Sequence, residues 1–368
     1  MNLYLHFPFC RSKCAYCALK SYGGKSSEVR GAYARRLSEE IAELDHPAQE
    51  AHTIYLGGGT PALCPLDPIF DALRAKGLLT GDYELTVELH PLDVTAETLD
   101  ILRAGGVNRV SIGVQTFDDS MLSFLNRRHT AADAIAAIDT LGPLFPSVGM
   151  DLIVGLPCPP DLNAIKEVLP ALNHVSVYTL IREPNTRLDL DVKKKRAVLP
   201  DDAKALAEFA SLRALLVSSG FMRYEIANFA RPGFECRHNF AVWRGEDYIG
   251  LGDGACGRCG NVRTVGEKSA STSEGGNSGS ECTFSYSKER LTQEADAVER
   301  ALFSLRTSDG LDLKRISRLW PILSLRILEW RDILAFHAGK GLLAGDGQTY
   351  RLTQRGAEVC DSILEDLI

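Results

Sequence analysis

The sequence predicts an α/β fold: a partial (β/α)6, TIM-like barrel followed by a smaller, mainly α, winged-helix-like C-terminal unit. Three observations lead there. Short β-rich runs alternate with amphipathic stretches over the first half of the chain, the pattern of a parallel sheet wrapped by helices. The chain has 368 residues, 45% of them hydrophobic, more than one core normally holds. Beyond a Gly/Ser-rich stretch, Gly266 to Ser280, the pattern changes to helices and a hairpin.

In chain order, strands are expected at 3–7, 53–56, 84–88, 109–114, 149–154 and 174–180. Helices with apolar positions at helical spacing are expected at 28–44, 66–76, 95–104, 118–141 and 163–172. Thr95, followed by Glu97 and Thr98, and Asp161, before Ala164, read as helix starts. The Gly266–Ser280 stretch reads as a flexible loop. Helices then follow at 287–306, 312–319 and 324–338. A hairpin over Leu342–Leu352 turns at Asp346-Gly347, and a last helix spans 353–366. The expected division is a barrel core over 1–230, a segment with the flexible loop over 231–286 and a helical unit over 287–368.

Composition narrows the function. The net charge is −7, from 41 basic and 48 acidic residues, which gives no electrostatic reason to expect a nucleic-acid partner. A winged helix can bind DNA, but residues 312–368 carry eight Lys/Arg against eight Asp/Glu without a basic stripe, so a lid or partner surface is the better reading. No apolar run approaches a membrane span, and the first residues lack the basic-then-apolar order of a signal peptide. Ten cysteines without such a signal point to a reducing compartment, hence the cytoplasm, where thiols serve metals.

Cys10, Cys14 and Cys17 stand at C-x3-C-x2-C just after the first strand. Three thiolates on one loop can hold three irons of a [4Fe–4S] cube and leave the fourth open to a small molecule. A zinc site or three unconnected thiols are the alternatives, although zinc prefers four ligands and C-x2-C pairs. In β/α barrels the working residues sit at the C-terminal ends of strands. There the sequence places Gly57-Gly58-Gly59-Thr60-Pro61, then Glu88, then Gln115 with Arg127 beyond it, then Asp151. The glycine run lets a ligand approach the backbone closely.

These motifs, with Tyr16 beside Cys17, resemble the radical S-adenosylmethionine (SAM) superfamily. Within it the chain is similar to the oxygen-independent coproporphyrinogen III oxidase family, densely from Tyr4 to about Gly254. The resemblance implies a [4Fe–4S] cluster on Cys10, Cys14 and Cys17. It implies SAM contacts at Tyr4, Tyr16, Gly58 and Glu88, and a second ligand-contacting group at Gly59, Thr60, Gln115, Arg127 and Asp151.

Three features turn the resemblance toward the HemW-type heme chaperone branch. The oxidases carry a fourth cysteine two places after the third, where this chain has Leu19. They also carry a long N-terminal extension, whereas nine residues precede Cys10 here. Finally, His238-Asn239-Phe240-Ala241-Val242-Trp243 resembles the branch's H-N-x-x-Y-W signature, tied there to heme, since imidazole is a common axial ligand and Trp can stack on a macrocycle. Val242 replaces the signature's Tyr, and Cys256 stands where the family's Gly-Ala-His has its His. The pair Cys256 and Cys259 reads as structural or incidental, and Cys64, Cys158, Cys236 and Cys360 as ordinary apolar residues. The implied function is a heme chaperone that binds a [4Fe–4S] cluster, SAM and heme and passes heme to an unidentified acceptor protein, alone or as a homodimer. The alternative is a radical enzyme that oxidatively decarboxylates porphyrinogen propionates. No residue is assigned a catalytic role.

Overall fold

The computed structural model describes residues 1–44, 51–268 and 283–368. Residues 269–280 of the Gly/Ser-rich stretch, and Cys282, lie outside the described residues. Six parallel strands form the barrel: β1 (Asn2–Phe7), β2 (Thr53–Gly58), β3 (Glu84–Leu89), β4 (Arg109–Gln115), β5 (Ser147–Val154) and β6 (His174–Thr179). They lie side by side in chain order within a 12-stranded sheet of the described residues. On the β6 side the sheet continues antiparallel through Asn228–Ala230 and Met222–Arg223. On the β1 side Tyr248–Leu251 adds in parallel, followed by three antiparallel strands, Cys256–Cys259, Val262–Lys268 and Phe284–Arg290.

Side-chain alternation explains how this sheet buries itself. The outward face carries Leu3, Leu5, Phe7, Ile54, Leu56, Leu85, Val87, Val110, Ile112, Met150 and Val175, packed with Leu37, Ile41, Phe70, Leu102 and Ile138 of the surrounding helices. The inward face is polar, with Tyr4, His6, Thr53, Tyr55, Glu84, Thr86, Glu88, Arg109, Ser111, Asp151, His174 and Ser176. The two helix starts read from the sequence are capped as expected. Thr95 accepts from Thr98 N–H, and Asp161 accepts from Asn163 and Ala164 N–H.

The expected helix at 118–141 is two helices, Asp119–Phe124 and Ala131–Leu141. Between them Asn126 sits at φ 59, a left-handed conformation that Asn tolerates, and its side chain donates to Lys13 O at 2.8 Å. A Thr130–Asp133 capping box restarts the helix. Apolar spacing runs through both pieces and hides the break. The expected helix at 287–306 begins late, as Gln293–Ser304 behind its cap Thr292, because Phe284–Arg290 pairs along Val262–Lys268. The last helix likewise breaks at Val359 into Gln354–Glu358 and Cys360–Leu367. The boundary expected at residue 230 falls inside the sheet, since Tyr248–Leu251 pairs with β1.

The C-terminal residues build a second core around Trp330, Leu302, Ile316, Leu334 and Ile363. Leu311–Asp312, Thr349–Leu352 and Leu343–Gly345 make a three-stranded sheet beside the helices Leu313–Leu319 and Ser324–Gly339, the winged-helix-like arrangement that the sequence predicts. Among the described residues no helix is long and apolar enough to cross a membrane.

Candidate functional site

The chain leaves β1 into the cysteine loop, and β2 holds that loop in place. Gly59 N–H donates to Phe7 O and Thr60 N–H to Phe9 O, both at 2.7 Å. A side chain at Gly59 would put its Cβ 2.5 Å from Phe9 O, so glycine is what allows this contact. The short strand Phe9–Cys10 pairs with Tyr22–Gly23, closing the loop. Cys10, Cys14 and Cys17 then line one cavity of about 610 Å³ at the C-terminal ends of the barrel strands.

The thiols are unpaired, and burial together with Cys14 and Cys17 pushes Cys10 up to about 11. Metal binding would therefore have to displace protons. Arg127 Nη1 stands 3.4 Å from Cys14 Sγ, and its buried Nε has no hydrogen-bond partner among the described residues. A cation with a spare donor beside three thiols fits an anionic cluster and a carboxylate-bearing ligand. Among the described residues no group of three or more His, Cys, Asp or Glu is placed to share a single ion. A cube asks for something different, because each thiolate takes its own corner.

Tyr16, Gly58, Gly59, Thr60, Glu88, Gln115, Arg127 and Asp151 line the same cavity. Glu88 accepts from Tyr55 Oη at 2.8 Å and from Gly58 N–H at 3.0 Å. Burial, and then the neighbouring Asp151, raise its carboxyl to about 7. Asp151 is also raised by burial and accepts from Ser111 Oγ at 3.2 Å. Gln115 is held at φ 70, where the β4–β5 register shifts, which swings its side chain into the cavity.

Tyr4 is placed differently. It lies beneath the cavity and does not line it, with Oη 2.9 Å from His6 Nδ1, while His6 Nε2 donates to Lys20 O at 3.2 Å. Several residues join the site without having been singled out in the sequence. His6 and Tyr55 support it from within the barrel, and His90 and Tyr178 line it. His90 Nε2 meets His129 Nδ1 at 3.4 Å, and burial and Arg127 hold the two rings down at about 2 and about 4, so both are neutral. His90 and Tyr178 each fall at a strand end, the signal that could have found them.

The heme candidates are not brought to this cavity. His238 belongs to the helix Arg237–Trp243, which closes the opposite, N-terminal end of the barrel. Its ring is 5% exposed, Nδ1 pairs with Thr53 Oγ1 at 2.9 Å, and the ring packs 5.2 Å from Tyr55. Its N–H and that of Arg237 donate to Glu84 at 3.0 and 2.9 Å. Asn239 is half-buried. Trp243 stacks under Arg306 and meets Phe303 edge-on, 5.6 Å between centroids. His238 is thus seated in the barrel floor, and burial lowers it to about 4. Cys256 and Cys259 are both exposed on one short strand.

Comparison with known proteins agrees with the cavity. Residues 4–161 match the radical SAM superfamily. Heme chaperone HemW of Mycobacterium tuberculosis (strain H37Rv) is 32% identical over 380 aligned positions, which cover 100% of this chain and 94% of the relative. Heme chaperone HemW of Bacillus subtilis is 32% identical over 376, covering 96% of each chain, and that of Escherichia coli K12 is 35% identical over 268, covering 70% of each. Among solved structures, coproporphyrinogen III oxidase (HemN) from Escherichia coli superposes with a TM-score of 0.81 at 24% identity, over 100% of this chain and 89% of that one, which establishes a shared fold.

Proposed function

The chain belongs to the HemW heme-chaperone family of radical SAM proteins, and on that premise we propose that it carries heme and delivers it to an acceptor protein, with a [4Fe–4S] cluster and SAM bound at the strand-end cavity. The observation that supports this reading is the gathering of Cys10, Cys14 and Cys17 with Glu88, Arg127 and Asp151 around one cavity. Cys10, Cys14 and Cys17 would hold the cluster, which supplies one-electron chemistry at its open iron when bound. Arg127 orients a carboxylate, Glu88 takes an ammonium or ribose hydroxyls, and Gly58 and Gly59 keep the strand end clear. Glu88→Ala should weaken SAM by about 1–3 kcal/mol, read by equilibrium binding.

Heme is assigned to the His238, Asn239 and Trp243 segment. Thr53 Oγ1 donates to Asn2 Oδ1, so His238 Nδ1 donates to Thr53 and the lone pair that can meet iron is on Nε2. The Thr53 bond orients the ring, so Thr53→Val should weaken heme binding several-fold, since a net hydrogen bond is worth ~0.5–1.5 kcal/mol, while His238→Ala should remove the heme absorbance band. The test titrates heme into wild type and both variants and assays coproporphyrinogen conversion on the same anaerobically reconstituted protein. Heme binding without conversion is expected. Conversion without His238-dependent heme binding would restore the oxidase reading.

A further inference from the structure

The inside of the barrel is polar where such interiors are normally filled by branched apolar side chains. Thr86, Arg109 and His174 project into it at 0, 2 and 1% exposure. Arg109 Nε and Nη1, Thr86 Oγ1 and His174 Nδ1 find no hydrogen-bond partner among the described residues. The other His174 nitrogen meets Tyr224 Oη at 2.9 Å, and that oxygen also receives Cys236 N–H at 3.3 Å. The Tyr224 proton therefore goes to His174 Nε2, which leaves the ring's own N–H on Nδ1.

His174 Nδ1 and the Arg109 guanidinium meet over the backbone at Gly149. A methyl built on Gly149 would stand 3.3 Å from both His174 Nδ1 and Ser111 Oγ and 3.5 Å from Arg109 Nη2. Ser111 in turn bonds Asp151, which lines the strand-end cavity. Buried donors of this kind require an acceptor. An anion is disfavoured by Glu84, Glu88 and Asp151, which face the same lumen, whereas water accepts from the donors and donates to the carboxylates.

We propose that ordered water occupies the lumen over Gly149, held by Arg109, Thr86, Ser111 and His174, and solvates Glu88 and Asp151 from beneath when SAM binds. The functional half rests on reading Glu88 as a SAM contact. Tyr4, Tyr55, Arg109, Asp151 and Tyr178 face Glu88 from the neighbouring strands. Its carboxyl, raised to about 7, must be ionised to meet a cationic ligand, so SAM affinity rises with pH through that region and levels off above it. Removing water increases the desolvation that raises Glu88, so the rise moves to higher pH.

The test has two arms. A high-resolution crystal structure of the cluster-free protein should show water within hydrogen-bond reach of Arg109, Thr86 and His174. SAM affinity against pH, measured on reconstituted protein, should shift upward by about half a unit in Gly149→Ala and Thr86→Val. That is about threefold weaker binding below the midpoint and unchanged binding well above it. Glu88→Gln should show no such rise. A dry lumen, or an unshifted profile in Gly149→Ala, overturns the proposal. If wild type binds no SAM at any pH, the reading of Glu88 fails and the solvation claim falls with it, while the density still decides whether water is held.

Discussion

Replacing Cys10, Cys14 or Cys17 by alanine should abolish the reducible [4Fe–4S] signal and most of the bound iron, while Cys256→Ala and Cys259→Ala should leave both intact. The three loop thiols line one cavity, and each serves a different iron, so losing one leaves two corners held where three are the minimum this loop offers. Folding should survive. All three cysteines are only half-buried, and the loop is fixed by backbone bonds from Gly59 and Thr60 and by the Phe9–Tyr22 pairing rather than by the sulfurs. Thermal melts of the metal-free variants should match wild type. Cys256 and Cys259 are exposed on a separate strand, Cys256–Cys259, and do not line this cavity. Iron analysis and electron paramagnetic resonance of the reduced proteins decide the matter. A Cys256→Ala protein without its cluster signal would mean that the coordination is misassigned.

The sequence made the cavity legible because a barrel's working residues sit at strand ends. Once the strands were placed, Gly58, Glu88, Gln115 and Asp151 followed. Arg127 reaches the cavity only through the break at Asn126, which apolar spacing cannot show because the periodicity continues on both sides. Depth was harder to read. Tyr4 and His238 were singled out by motif, and a motif carries no information on which end of a strand a ring occupies. Tyr4 lies on β1 and His238 on the helix that closes the barrel floor, so both rings lie inside the barrel, 6.3 Å apart. The polar interior was also written in the chain. A strand covered on both faces usually reads as a continuous apolar run, whereas Glu84-Leu85-Thr86-Val87-Glu88 and Gly149-Met150-Asp151-Leu152 alternate, which marks an inner face wet enough to keep carboxylates.

Gly58→Val should cost the protein both SAM binding and firm cluster retention, a broader loss than a blocked ligand pocket would cause. The glycine run suggested that a side chain here would simply meet the ligand. In the structure Gly58 sits at φ +108, and a Cβ would stand 2.5 Å from Cε1 of His6. The left-handed backbone alone costs about 1–2 kcal/mol. His6 cannot step aside freely, because Tyr4 Oη holds Nδ1 and Lys20 O accepts from Nε2. Moving the ring releases Lys20, three residues beyond Cys17, and with it the return arm of the cysteine loop. The same substitution disturbs the Gly58 N–H that fixes Glu88. The expected result is SAM affinity reduced by more than about a hundredfold, equivalent to ~3 kcal/mol, together with faster iron loss to a chelator. His6→Ala alone removes the Lys20 bond without straining the backbone, so it should reproduce the faster iron loss while leaving the Gly58–Glu88 bond, and with it more of the SAM affinity, in place. A Gly58→Val protein that keeps its cluster as wild type does would show that His6 does not transmit the strand-end geometry to the loop.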